Sequence, residues 1–267
     1  MKKITKEIIT NYKLIWILAI NDFKQKYSGS YLGIIWGLIH PCVTILLYWF
    51  IFQIVMPNIE ISGDNTPYIL WLLAGLVPWF FFQETIISSS RVFLDYNYLV
   101  KKVVFKIEIL PIVRILSGLF IHIIFIGFML IIYIFNKQLI FPYFLQILYY
   151  TFTMVILVTG MSYMTSSITV VFKDLTPIIN IFLQAGTWIT PIMWDIKKTI
   201  DLPIINLILK LNPMYYIVNG FRDSLLYHTW FWERPKQTFY FWFITILFLG
   251  FGTKIFKRLQ PDFTDII

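Results

Sequence analysis

The sequence predicts an all-α membrane protein with six transmembrane helices. An N-terminal interfacial amphipathic helix and two short re-entrant helices between spans five and six complete it. Three observations predict this. Apolar residues make up 58% of the chain and charged residues only 13%, against about 25% charged in soluble domains. The apolar residues fall in continuous runs of about 20, the length a helix needs to cross a bilayer. They do not alternate with polar residues, as the strands of a membrane barrel would. Helices and closed barrels are the only structures that satisfy every backbone group in lipid.

The elements follow in order within a single domain, 1–267: an interfacial segment 1–26, a bundle 33–256 and a tail 257–267. In residues 3–26, Ile4, Ile8, Tyr12, Ile15, Trp16, Ala19 and Phe23 recur at three- and four-residue spacing. Lys3, Lys6, Thr10, Lys13, Asn21 and Lys24 fill much of the other face. A basic amphipathic helix of this kind lies on a membrane surface. Gly29 and Gly33 allow a turn into span one, 33–56, an uncharged run interrupted by His40-Pro41. Its 24 residues would reach roughly 36 Å at about 1.5 Å each, enough to cross a ~30 Å core with some tilt. Spans two to six are expected near 67–88, 110–135, 143–171, 176–194 and 238–256. Segment 195–237 is too apolar for a solvated loop: Leu202, Ile204, Ile205, Leu207, Ile208, Leu209 and Leu211 precede Asn212-Pro213. Asn as cap and Pro as first residue start a second short helix there. Neither piece reaches 18 residues, so both are read as re-entrant. The halves show no inverted repeat of the secondary-transporter kind.

Charge orients the chain. Fifteen of the 22 Lys and Arg fall on the side of the N-terminus and seven on the other, while the loop 57–66 carries only Glu60 and Asp64. The positive-inside rule then puts both termini in the cytoplasm. The net charge of +8 sits at the ends of apolar runs, which suits anionic head groups rather than nucleic acid. The single cysteine, Cys42, lies in a span, which excludes a disulfide framework within one chain. The N-terminal helix leads to no small-residue cleavage site, so no cleaved signal peptide is expected. His40, His122 and His228 are far apart and form no zinc motif; no nucleophile elbow or phosphate-binding Walker A loop is present. ATP-driven work would need another chain.

Several residues carry two readings. Glu84 is the one acidic residue placed within a span. An intramembrane carboxylate is a functional candidate, here as a brace of a closed channel; at interface depth it could equally bond a nearby Ser or Thr. Pro41, Pro78 and Pro191 each kink a pathway-lining helix or serve packing. Trp71, Trp79, Trp188, Trp194, Trp230 and Trp232 fit an interfacial aromatic belt, though a subset lining a pore could stack on sugar rings. The segment Asp95–Pro111 reads as a docking site for a cytoplasmic partner or as a plain surface connection.

The ordered set KYSGSYLGIIWGLIHP (26–41), AGLVPWFFF (74–82), NYLVKKVVFKIEILP (97–111), VFKDLTPII (171–179), ITPIMW (189–194) and LNPMYYIVNGFRDSLL (211–226) resembles one family across nearly the whole chain. It is similar to the membrane subunit of polysaccharide-export ABC transporters, which export teichoic acid or O-antigen on a lipid carrier. The resemblance implies six spans, a homodimer and two copies of a separate cytoplasmic ATPase, which would hold ATP and Mg; no cofactor is expected in this chain. It implies a bacterial inner or plasma membrane location and an undecaprenyl-pyrophosphate-linked glycan as substrate. It also implies a coupling helix at Asp95–Lys102, with Asp95, Asn97, Leu99, Lys101 and Lys102 facing the ATPase. Helices one and five would flank the channel, with Trp36, Tyr48, Trp49, Phe182 and Trp188 on its lining. Lys24 and Lys26 would attract the pyrophosphate, as charge-assisted contacts do. Lys173-Asp174 and Phe105-Lys106 depart from the Arg-Asp and Phe-Pro expected at those points. Ile- and Lys-rich, Ala-poor usage leans toward teichoic acid. The alternatives are an exporter of drugs or small lipids and an intramembrane acyl- or glycosyltransferase; the latter would need catalytic His or Asp clustered at membrane depth.

Overall fold

The computed structural model describes residues 7–28, 31, 33–55, 67–102, 105–196 and 203–266. Lys2, Lys3, Ile4, Lys6, Gly29, Met56, Glu60, Asp64 and Leu202 lie outside the described residues. Among the described residues there are helices and connections but no strand. The chain is an all-α membrane protein.

After one turn at 7–10, α1 runs Tyr12–Tyr27. Helix α2 is Ile35–Trp49, its end widening into a π-helical turn, Phe50–Val55. Then come α3 (Tyr68–Ser90), two one-turn helices α4 (Val92–Asp95) and α5 (Asn97–Val100), α6 (Leu110–Phe135) and α7 (Gln146–Val171). Helix α8 is Leu175–Ile189, α9 Pro203–Lys210, α10 Pro213–Arg222, α11 Pro235–Leu259 and α12 Phe263–Ile266. Successive long helices run up and down. One end of the bundle carries α1, α4, α5 and α12; the opposite end carries α9 and α10.

Local chemistry sets several starts. Pro111 and Pro235 sit in the first turns of α6 and α11, where a missing N–H costs nothing. The Asn212 side chain accepts from the Met214 N–H at 3.0 Å, so the expected cap before Pro213 is formed.

Among the described residues, five segments are long and apolar enough to cross a membrane: Ile35–Val55, Tyr68–Ser90, Ile107–Phe135, Tyr143–Val171 and Pro235–Ile266. The expected continuous fifth span, 176–194, is shorter. Helix α8 has 15 residues, about 22 Å at 1.5 Å each, less than the ~30 Å core. Pro191 is the reason. It pushes Thr190 into extended backbone (φ −70, ψ 130) and cannot donate to the preceding turn. The other two prolines are absorbed: Pro41 stays inside α2 and Pro78 is buried inside α3.

Helix α3 is the centre of the bundle, buried over most of its surface, whereas among the residues of α2 only Ile45 is buried. Lipid does not drive apolar helices together, so close packing and polar contacts hold them. A Cβ on Gly160 of α7 would lie 2.6 Å from the Leu249 nitrogen of α11, and one on Gly252 would meet the Gly160 carbonyl. Small residues let these two backbones touch. Buried hydroxyl pairs add directional links: Ser89 with Ser162 at 2.9 Å and Ser90 with Thr176 at 3.1 Å, each worth about 0.6 kcal/mol by the usual measure in membranes.

One expectation changes here. Trp71 and Trp79 are buried in the core rather than in an interfacial belt. Trp79 donates to the Thr187 hydroxyl at 2.9 Å, joining α3 to α8. The C-terminal segment folds back on the bundle: Phe263 is fully buried, 5.0 Å from the Phe93 ring and 6.1 Å from Phe256.

Candidate functional site

A cavity of about 850 Å³ lies between α2, α3 and α8. At its α1 end are Lys26, Gln83 and Glu84. Trp36, Gly37, His40, Pro41 and Thr44 of α2 form one wall; Gln184, Thr187 and Trp188 of α8 form the other. Tyr48 lines the π-turn end, its ring edge-on to Trp188 with centroids 6.2 Å apart. Pro41 leaves the carbonyl one turn back without its helical donor, and the Thr44 hydroxyl donates to the His40 carbonyl at 2.9 Å beside it. The wall therefore mixes aromatic faces, side-chain amides and hydroxyls.

Of the five aromatic residues singled out in the sequence, Trp36, Tyr48 and Trp188 line this cavity. Trp49 packs against the core instead, and Phe182 is 73% exposed on α8 away from it. Lys24 is exposed and lies off the cavity wall. His40 lines the cavity, His122 is buried against the Phe81 ring, and His228 stacks edge-on to Tyr143.

The mouth of the cavity is charged and paired. The Lys26 ammonium forms an ion pair with Glu84. Burial and the Arg114 charge lower the Lys26 pKa from its ordinary value; Asp22 opposes them. One turn earlier on α1, Asp22 is buried and accepts from Arg114 Nη1 at 3.1 Å and from the Tyr96 hydroxyl at 2.6 Å. Burial and the Asp22 hydrogen bond raise the Tyr96 phenol. Arg114 Nη2 reaches the Asp95 carboxylate at 2.6 Å, and Arg91 flanks Asp95 at 3.8 Å. Helix α1 is held by this charge as well as by Ile15 and Ala19 against Ile109, just before α6, and Val113 of α6.

The expected coupling segment is two one-turn helices. Val92, Phe93, Tyr96 and Val100 point into the bundle against Phe256 and Phe263. Asn97, Tyr98, Lys101 and Lys102 are exposed, and Leu99 is half-buried. Asp95 is exposed and pairs with Arg114, and Lys173 and Asp174 are exposed at the start of α8.

At the opposite end, Arg222 is 2% exposed and donates to the Pro191 carbonyl at 2.7 Å and the Ile192 carbonyl at 2.8 Å. Its guanidinium lies 3.3 Å from the centroid of Trp71. The Tyr68 hydroxyl donates to the Met193 carbonyl at 3.0 Å, Trp194 to the Trp188 carbonyl at 2.9 Å, and Asn212 to the Thr190 hydroxyl at 2.8 Å. Side chains thus supply donors for the backbone carbonyls that the break in α8 releases.

Sequence reasoning did not single out Asp22, Tyr96, Arg114 and Arg222 as site residues. Two signals were available. Arg114 is a lone cation four residues into an apolar helix, and such a residue is expected to have a partner. Asp22 is the acidic exception on a basic helix, four positions before Lys26.

A membrane-embedded helical bundle with a lateral cavity, a charged surface helix at its mouth and an exposed loop beside it has the form of a transporter subunit. The chain belongs to the ABC-2 type transporter family, whose model matches residues 13–226. It is a multi-pass membrane permease, the ATPase of such a transporter being a separate subunit. Among curated relatives, it is 24% identical to the O-antigen export system permease protein RfbA of Myxococcus xanthus, with 100% of both chains covered. It is 23% identical to a protein of the same name in Klebsiella pneumoniae, with 96% of this chain and 95% of the relative covered.

Proposed function

We propose that this chain is the permease of an ATP-driven exporter of a lipid-linked polysaccharide, working as a homodimer with two ATPase subunits in the bacterial cytoplasmic membrane. The observation that carries this reading is the cavity between α2 and α8. It joins a charged mouth to a wall of aromatic rings and amides, a lining suited to a charged head group followed by sugar rings. The names of the relatives favour an O-antigen over teichoic acid.

In this reading both termini are cytoplasmic and six segments cross the membrane, α8 together with the chain beyond Pro191 forming the fifth. The exposed apolar face of α2 and Phe182 on α8 would meet a second copy, closing two lateral cavities into one channel. The loop Asp95–Lys102 receives the ATPase through Asn97, Leu99, Lys101 and Lys102. The Lys26–Glu84 pair closes the mouth, and an arriving pyrophosphate competes with Glu84 for Lys26, with Lys24 alongside.

The test is reconstitution with the cognate ATPase in proteoliposomes. ATP hydrolysis is expected to rise with undecaprenyl-pyrophosphate-linked O-antigen and to rise less with a lipid-linked teichoic acid precursor. Stimulation by small amphiphiles, with none by either glycan, would point to a drug or lipid exporter instead.

A further inference from the structure

We infer that Arg114 is the positioning residue that makes the seat of α1 depend on the loop Asp95–Lys102. The inference rests on the reading that this loop receives the ATPase, and it adds the path by which motion there reaches the cavity mouth.

One guanidinium serves two carboxylates on two different elements. Nη1 lies 3.1 Å from Asp22 of α1 and Nη2 2.6 Å from Asp95 at the end of α4. The Tyr96 hydroxyl, next to Asp95 in the chain, donates at 2.6 Å to the same Asp22 oxygen. The Arg114 guanidinium carbon also sits 5.4 Å from the Tyr96 ring centroid. The loop therefore grips Asp22 twice, once directly and once through Arg114. Asp22 and Lys26 are four residues apart on one helix, so they share a face and move together. Lys26 is the residue paired with Glu84 at the cavity mouth. A displacement of α4 and α5 is thereby passed through Arg114 and Asp22 to the Lys26–Glu84 contact. A cation serving only as a topology signal would extend to lipid head groups; Arg114 is instead 16% exposed and turned inward. Lysine cannot replace it, because a single ammonium lacks the planar fork that reaches both carboxylates.

The test compares wild type with Arg114→Lys and Asp22→Asn, each purified as the full complex with the ATPase in lipid. Hydrogen exchange is followed over α1 and over residues 97–102, with and without ADP–vanadate trapping. In wild type, trapping is expected to change exchange in both segments. In both variants the loop still responds, while the α1 response falls severalfold, to what the Tyr96 hydroxyl passes to position 22 without the guanidinium. Transport per ATP hydrolysed falls by about tenfold, within the range of inter-site couplings. An Ile15→Ala variant, which loosens α1 from α6 without touching the ion pairs, keeps the linked response although it lowers the melting temperature. The inference is overturned if α1 follows trapping as fully in both variants as in wild type, or if α1 is unresponsive in wild type while the loop responds. A wild-type loop that does not respond overturns the docking reading and the inference together.

Discussion

Two arginines in this bundle do opposite work. Arg222, at the end carrying α9 and α10, is sealed from solvent and spends its donors on the Pro191 and Ile192 carbonyls while stacked on Trp71. Arg114, at the α1 end, is partly open and joins two carboxylates from separate elements. Carbonyl oxygens freed inside a bundle find no substitute donor in lipid, so the contacts of Arg222 are permanent. Ion pairs near an interface can trade partners with water, head groups or a ligand, so those of Arg114 and Lys26 suit parts that move. The difference teaches that burial depth separates a brace from a relay even when the residue type is the same.

Breaking the brace is expected to have the largest effect. Arg222→Met removes the donors of two buried carbonyls, each costing about 1–3 kcal/mol when left unmet. The melting temperature in detergent should fall steeply, and proteolysis should open the chain near 190–195. Gly75→Ala strikes the same place from behind, since its Cβ would lie 2.9 Å from Arg222 Nη2 and 3.1 Å from Ile192. Overpacking of this kind costs about 1–3 kcal/mol, and a smaller drop in melting temperature than for Arg222→Met is the expected reading. Equal stability of Gly75→Ala and wild type would mean that the brace yields.

The relay should behave differently. Lys101→Glu with Lys102→Glu leaves the melting temperature of the isolated permease unchanged, because both side chains are exposed. Pull-down with the ATPase should nevertheless be lost; wild-type capture would remove these lysines from the docking surface. The effect on stability is also small at the mouth. Lys26 and Glu84 are 36% and 45% exposed, so Glu84→Gln should change stability by under ~1 kcal/mol. Transport is the sensitive measurement there: a leak or a shifted onset of transport is expected, and unaltered transport would sink the gating role of Glu84.

Much of the fold was legible from local pattern. The continuous apolar runs located α2, α3, α6, α7 and α11, and Asn212-Pro213 located the start of α10. The end of α8 was not legible, because the hydropathy of Pro191–Trp194 matches a span, while the backbone leaves the helix at Thr190. Individual candidate residues were legible as types: Lys26, Glu84 and Asp95 stood out as charges beside apolar runs. Their partners did not, since Tyr96 and Asp22 are 74 positions apart and no periodicity reports such a distance. Trp71 and Trp79 illustrate the same limit, because an aromatic at the end of an apolar run looks alike whether lipid or a neighbouring helix covers it.

By itself the sequence determined that the chain lives in a membrane, that it is helical and where most helices lie. These follow from the cost of placing backbone polar groups and charge in hydrocarbon, which is additive along a segment. Only the tertiary structure decided which helix is enclosed and which forms a wall. It also decided that Pro191 breaks its helix where Pro41 and Pro78 do not, and that Asp22, Arg114 and Asp95 meet. Those outcomes depend on which side chains are at hand to satisfy a freed carbonyl or a buried charge, and that is a property of neighbours in space.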